Sequence, residues 1–388
     1  MSIQLRDRIK GTAQGLAIGD LMGAPFEGMD LKTPFYENPQ VMSALSDKNP
    51  DPSWREWAHA AAGLTSYVQF RGGPVNEYLG PWNTTYLELG ETTDDTAMAV
   101  ATMRSIVTAS AVDKFSLRDF YVDWYHGGGA KGVGGSTCLM LAEQDPRETT
   151  EIKDPFETSA MVRMRGATLY LGWGQREWNE RRGRASHKWQ FGAFPANGAE
   201  MRIPVVALAL LDDELTQADI NQASDTVTRL THPYPQCYQT SRALVTLTRD
   251  LILLGDPEKA VAKMSKQYPR ILEAARASLD EDRPHTGGNL ETFGIAFDSL
   301  AKSSCYEDAV THAINATSIY GSWASDSDTY GAVAGALAGA AYGASSIPKR
   351  WMRPLDLDGN EITIKPVTIS EIGELALKTA EVSSRPAS

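Results

Sequence analysis

The amino-acid sequence predicts an all-α fold, and three of its features do so together. Apolar residues recur with helical spacing in segment after segment, the connections between them are rich in Gly and Pro, and convincing strands are few. The third feature is a pair of glycine rows. Gly11, Gly15, Gly19 and Gly23 repeat every fourth residue near the start, and Gly331, Gly335, Gly339 and Gly343 do so near the end. Glycine inside a helix costs about 1 kcal/mol relative to alanine, so a row of four on one face needs a compensating gain, most simply the close approach of another helix backbone. The intervening Ala, Leu, Ile and Val residues suit buried helices. Two tightly packed central helices are therefore expected, against each other in the simplest arrangement, with Gly15, Gly19, Gly335 and Gly339 buried.

In chain order, helix 8–24 carries the first glycine row, with Asp20 and Glu27 at its far end. Residues 30–90 hold many Pro, Asn, Gly and aromatic residues without periodicity and read as a long loop or cover over what Glu27 and Thr93 flank. Helix 94–110 opens with Thr93-Asp94-Asp95-Thr96, and helix 115–125 follows. A Gly-rich loop at 127–137 leads into helix 134–144. Residues 145–195 begin acidic and then gather Trp173, Arg176, Trp178, Arg181, Arg182, Arg184, His187, Lys188 and Trp189. That stretch reads either as a solvated loop with its tryptophans packed on the body, or as a contact surface for an anionic ligand or a partner. Apolar spacing then predicts helices at 199–212, 217–230, 236–254, 257–267, 270–279, 288–303 and 306–317. Helix 328–344 carries the second glycine row, 370–381 is the last helix, and the residues after it read as a frayed tail.

Composition narrows the function classes. The chain has 388 residues with 37 Lys and Arg against 49 Asp and Glu, a formal net charge of -12. That balance argues against non-specific nucleic-acid binding, which depends on neutralising many phosphates, and favours a small ligand or a basic protein surface. Cys138, Cys237 and Cys305 are far apart and odd in number, so neither a disulfide framework nor a structural zinc site is indicated, and a reducing compartment fits. The first ten residues carry Arg6, Asp7, Arg8 and Lys10 with no signal-peptide core behind them, and the Gly- and Ala-rich stretch 331–345 is shorter than the roughly 20 residues that span a bilayer. A cytoplasmic protein without a membrane partner is expected. Length alone leaves the domain count open.

The chemistry concentrates at helix starts. Thr93, Asp94, Asp95 and Thr96 open one helix, and Ser325, Asp326, Ser327, Asp328 and Thr329 open the second glycine helix. Either cluster alone reads as a cap, since Thr or Ser accepts from a free backbone N–H and Asp in the first turn suits the helix dipole. Together, four carboxylates exceed what capping needs, and Asp20 and Glu27 lie at the end of the other glycine helix. If these helices converge, the charges need neutralising, and oxygen ligands without nearby Cys or His select a hard cation, Mg²⁺ first and Mn²⁺ as the alternative. So many acids suit two ions. Gly132, Gly134, Gly135, Ser136 and Thr137 read as a connector or, through free N–H groups at a helix start, as a phosphate cradle. Asn197 and Gly198 before Arg202, and His232 after Thr231, are further polar points beside helices.

At these residues the sequence resembles the ADP-ribosylglycohydrolase family. The ordered match comprises Gly15-Leu16-Ala17-Ile18-Gly19-Asp20 through Glu27, then Thr93-Asp94-Asp95-Thr96, the Gly-rich loop to Thr137, Asn197-Gly198-Ala199-Glu200-Met201-Arg202, Thr231-His232, and Asp326-Ser327-Asp328-Thr329 with the glycine helix after it. The joint pattern is specific, although each piece is not. The resemblance implies a single-domain orthogonal helical bundle over residues 1–388; the long segments 30–90 and 145–195 depart from the compact family pattern as insertions and are expected to recast specificity. It implies two Mg²⁺ or Mn²⁺ ions held by Thr93, Asp94, Asp95, Asp326, Asp328 and Thr329, and hydrolysis of the bond between ADP-ribose and an acceptor. Glu27 would lie beside the metals as a gate, ligand or acid/base, and Asp94, Asp95 or Glu27 would be the catalytic acid, while Gly132, Gly134, Gly135, Ser136, Thr137, Asn197, Gly198 and His232 would hold the substrate's diphosphate and ribose. Where the family usually has Gly-Gly-Asp-Thr-Asp-Thr, this chain has Ala324-Ser325-Asp326-Ser327-Asp328-Thr329.

Two rivals stand beside that expectation. One is hydrolysis of another ribosyl or nucleoside compound, because metal-held ribose chemistry does not need the whole ADP group. The other is a non-catalytic binding or immunity protein on the same fold, against which four clustered acids argue.

Overall fold

The structure, a computed structural model, describes residues 1–24, 90–127, 133–142, 144, 154–159, 195–279, 287–316, 326–352 and 363–382. Their helices are α1 (Ile3–Gly23), α2 (Asp94–Ala109), α3 (Lys114–His126), α4 (Gly135–Ala142), α5 (Ile203–Val206), α6 (Gln217–Thr231), α7 (Pro235–Leu254), α8 (Pro257–Gln267), α9 (Pro269–Leu279), α10 (Asn289–Lys302), α11 (Tyr306–Ile314), α12 (Ser327–Tyr342), α13 (Lys349–Met352) and α14 (Ile369–Glu381). Among the described residues there is no strand, only two isolated bridges, Glu91 with Lys365 and Ala196 with Gly288. The fold is all-α, as apolar spacing predicts.

Local chemistry sets the ends of these helices. Ser2 accepts from the N–H of Leu5 and starts α1 at Ile3, five residues earlier than apolar spacing alone places it. Capping boxes of Thr216 with Asp219 and Thr368 with Glu371 open α6 and α14. Proline in the first turn opens α7 and α8, and Gly255 with φ +61° ends α7.

The segment expected as one helix over 199–212 departs from regularity. It is a 3₁₀ turn (Glu200–Arg202), then α5, then a second 3₁₀ turn (Ala207–Leu210). Pro204 has no N–H to give an α-helical ladder, which leaves tighter bonding on either side. The whole run is buried, so tertiary packing rather than helical regularity holds it.

The two glycine helices pack against each other at the centre. They run antiparallel in register, Gly11 opposite Gly339, Gly15 opposite Gly335, Gly19 opposite Gly331 and Gly23 opposite Ser327. A Cβ added at any of these glycines would overlap a backbone carbonyl of the other helix, so only glycine permits the approach. Gly343 leaves the expected row: with φ +86° it ends α12, and a Cβ there would run into Asp7. Tyr306 locks the seam from the side, its hydroxyl donating to the carbonyl of Gly15 at 2.7 Å.

Around this seam α12 also packs on α7, α10 and α11, and α1 packs on α14, all through buried aliphatic and aromatic side chains. Because the pair is antiparallel, the end of α1 lies beside the start of α12. That end of the seam is where the acids meet.

Candidate active site

Asp20, on the last turns of α1, is fully buried and accepts from the start of α2. The backbone N–H of Thr93 donates to it at 3.2 Å, the Thr93 hydroxyl at 2.9 Å, the N–H of Thr96 at 3.2 Å and the Thr96 hydroxyl at 2.5 Å. The two backbone N–H groups are of the kind a helix start leaves free, and here they and the two hydroxyls are satisfied by a carboxylate from a distant helix. Burial pushes the Asp20 carboxyl up to about 6, against the downward pull of the threonine hydrogen bonds. The effect is to pin α2 to α1 with Asp94 and Asp95 at the junction.

Thr93 is the N-cap of α2, yet its hydroxyl also lies 3.0 Å from Oδ2 of Asp95. One hydroxyl proton cannot serve Asp20 and Asp95 at once. The arrangement closes when Asp95 carries a proton and donates to Thr93, or when a cation takes that proton's place. Burial, then the charges of Asp94, Asp20 and Asp326, hold the Asp95 carboxyl well above the usual range. Burial, then Asp20 and Asp326, push Asp94 up to about 8, with Arg202 opposing. The charge of Asp326 thus reaches both acids of α2, although more than two hundred positions separate them in sequence.

Asp326 stands at the N-cap position of α12 without capping it. Its carboxyl instead accepts from Nδ2 of Asn197 at 2.6 Å and hydrogen-bonds with the side chains of Asp328 and Thr329. Burial raises its pKa and those hydrogen bonds lower it, the rise winning. Asn197 is placed by the Ala196–Gly288 bridge, its N–H donating to Gly287 O at 3.0 Å, and its side-chain amide also reaches Thr292 Oγ1 at 2.8 Å. Gly287, φ +81°, gives room: a Cβ there would stand 2.7 Å from Oδ2 of Asp326.

A second convergence lies one residue along the same segment. A Cβ on Gly198 would be 2.7 Å from Cε1 of His232, 3.1 Å from its Nε2 and 3.1 Å from Oγ1 of Thr137. Thr137, Gly198 and His232, expected from three separate stretches of chain, therefore meet. His232 is buried, and burial followed by the charge of Arg202 lowers its pKa to about 3, so the ring is neutral.

Of the remaining expected residues, Gly134 is exposed with open space above it, Gly135 begins α4 and Ser136 is half-buried in its first turn. Glu27 and Gly132 lie outside the described residues, as do nearly all of the two long segments at 30–90 and 145–195 and the basic patch within the second. Among the described residues no three His, Cys, Asp or Glu side chains form a ready metal-holding group. No motif marks Gly287 or Thr292, and Arg202 stands in the sequence as the end of the Asn197-to-Arg202 stretch with no role assigned to it. Its signal was a lone arginine in an otherwise apolar run, Met201 to Leu211.

A sequence profile of the family described as ADP-ribosylglycohydrolase matches residues 1–385. The chain is 22% identical over 369 residues to the ADP-ribosylhydrolase ARH3 of Bos taurus, covering 89% of this chain and 88% of that one. It is 24% identical over 364 residues to the ADP-ribosylarginine hydrolase Tri1 of Serratia proteamaculans, covering 90% and 75%. The fold is similar to a solved structure titled ADP-ribosylglycohydrolase-related protein complex, with a TM-score of 0.58 over 98% of this chain and 99% of that one at 22% identity.

Proposed function

The chain belongs to the ADP-ribosylglycohydrolase family and is an enzyme, and on that premise we propose that it is a metal-dependent hydrolase cleaving the glycosidic bond between ADP-ribose and an acceptor. One observation carries the proposal. The acids of α2 and α12 crowd together at the same end of the glycine seam where Asn197, Gly198, Thr137 and His232 converge.

The donor set fits a hard divalent cation. Oδ1 of Asp95 is buried without a hydrogen-bond partner, and burial disfavours charge on Asp94, Asp95 and Asp326, with neighbouring carboxylates adding to it at Asp94 and Asp95. Thr93, Asp94, Asp95, Asp326, Asp328 and Thr329 would hold Mg²⁺, with Mn²⁺ as the alternative and enough acids for two ions. Such ions supply neutralising charge and a more acidic water.

The chain's own groups do the rest. Asn197 gives its two Nδ2 protons to Thr292 and Asp326, which fixes the amide at the acid cluster with Oδ1 as the acceptor it can offer a ribose hydroxyl. Gly198 lets His232 and Thr137 close on its backbone, and Gly287 does the same for Asp326 and Asn197, where a Cβ would push these side chains away. Thr137 and His232 border the same space and offer neutral polar contacts to ribose or diphosphate oxygens. Asp94, Asp95 or Glu27 would take a proton from the water that attacks the anomeric carbon. Burial and neighbouring charge raise the proton affinity of Asp94 and Asp95, and a cation bound beside them would lower it, so that they would meet the water deprotonated.

The test is direct. Purified chain with Mg²⁺ is offered arginine-linked, serine-linked and nucleic-acid-linked ADP-ribose, and free ADP-ribose is measured. Release from at least one supports the proposal. Cleavage of simple nucleosides with none of the three would move the substrate to another ribosyl compound.

A further inference from the structure

One buried cation reaches both of the groups that face each other across the second convergence. Arg202 is fully buried. Its Nη1 donates to the carbonyl oxygen of Gly198, and its Nη2 donates to Oγ1 of Thr231 and, at 3.4 Å, to the carbonyl of Val227. The guanidinium lies 4.9 Å from the ring centroid of Tyr121, whose hydroxyl is 2.7 Å from Oγ1 of Thr102. Thr231 Oγ1 in turn lies 2.9 Å from Nδ1 of His232, the one hydrogen bond that this ring makes among the described residues.

The proton on Thr231 decides the tautomer. A hydroxyl has a single proton, and with Arg202 donating into Oγ1, Nδ1 of His232 is the acceptor within reach. Were Nδ1 protonated and donating instead, the Thr231 proton would be buried with no acceptor among the described residues, a state that folded proteins avoid. We infer that Arg202 is a positioning residue which, through Thr231, holds His232 in its Nε2–H tautomer, so that this N–H stands beside Gly198 as a donor to an oxygen of the bound ADP-ribosyl group. The last clause rests on the function proposed above; the tautomer does not.

The same arrangement guards the charge state. A guanidinium on the Nδ1 side of a buried ring opposes imidazolium, so the donor is neutral and its direction is set by Thr231. Because Arg202 also fixes the Gly198 carbonyl, ring and backbone keep their spacing together.

The experiment is ¹⁵N NMR of the full chain labelled at histidine, with His232 assigned by comparison with His232→Gln, together with calorimetric binding of free ADP-ribose. The parent is expected to show a pyrrole-type Nε2 and a pyridine-type Nδ1 from about pH 5 to about pH 8. Thr231→Val, close in shape but without the hydroxyl, is expected to lose that pattern and to weaken ADP-ribose about tenfold. Thr231→Ser should restore both. Arg202→Met removes a buried ion and is at risk of failing to fold, so the Thr231 pair bears the test. A pyrrole-type Nδ1 in the parent, or an unchanged pattern in Thr231→Val, overturns the inference. If the pattern shifts as expected while the parent binds no ADP-ribose, the positioning role stands and the functional proposal falls.

Discussion

Asp20 and Thr96 are 76 positions apart, yet one carboxylate oxygen of Asp20 takes both the N–H of Thr96, at 3.2 Å, and its hydroxyl, at 2.5 Å. With the two donors of Thr93 added, Asp20 is the clasp that fixes Asp94 and Asp95 against the end of α1. Asp20→Asn turns one acceptor into an amide donor that faces these donors. We expect urea unfolding to show a loss of ~2 kcal/mol or more, with hydrolysis falling as well. An unchanged urea midpoint would mean that the clasp is dispensable.

The glycine seam makes a sharper structural prediction. A side chain at Gly335 has the backbone of Gly15 in its way, so Gly335→Leu should destabilise by ~3 kcal/mol or more, and by enough to prevent soluble expression if the seam cannot part. Gly134→Ala is the control. No atom stands within 4 Å of a Cβ there, and its stability should stay within ~0.5 kcal/mol of the parent. Equal losses at the two positions would remove the packing argument.

Glu200 gives a pH dependence away from the acid cluster. Burial pushes its carboxyl up to about 7 from 4.5, although Thr240 donates to Oε1 and Arg202 lies near. A raised carboxyl favours the protonated form, so its contribution to stability is whole below pH 4.5 and is lost as pH rises through about 7. Glu200→Gln cannot ionise and escapes that loss. Urea unfolding at both ends of the window should show the Gln variant gaining on the parent as pH rises, on the order of 3 kcal/mol at full effect. Parallel curves for the two proteins would refute it.

Cation binding should appear in stability before it appears in turnover. Mg²⁺ should raise the melting temperature by linkage, ~2.7 kcal/mol at a hundred times its Kd. A cation must displace protons held by Asp94, pushed up to about 8, and by its neighbours, so apparent affinity should climb as pH rises toward that value. Asp328→Asn should lose the Mg²⁺ response together with hydrolysis. A parent-like melting shift in that variant would take Asp328 out of the ligand set.

What the sequence makes legible here follows the range of the forces involved. Helix positions come from spacing along one face, and the glycine rows announce backbone contact because close backbone approach is the simplest gain that offsets a row of glycines in a helix. The register of Gly19 with Gly331 is a further step, since a ridge says that a partner is close without saying which residues meet. The acid clusters are visible as residue types in excess of capping. Asp326, an N-cap that declines to cap, shows its role only through Asn197, which a two-residue bridge to Gly287 and Gly288 brings to it. Arg202 was hidden for the same reason. A guanidinium's worth depends on Gly198, Thr231 and Tyr121 around it, and nothing in its neighbours along the chain reports them.

The pairing of α1 with α12 also fixes when this protein can fold. A ribosome emits the first helix early and its partner only after more than three hundred further residues. At ~5–20 residues per second, α1 waits on the order of tens of seconds with its glycine face uncovered. Closing so long a loop is slow, and contacts of high sequence separation dominate the centre of the molecule. The nascent chain therefore holds its first glycine helix in reserve until the second has emerged. Asp20 and Asp328 then reach the same end of the seam in a single late event.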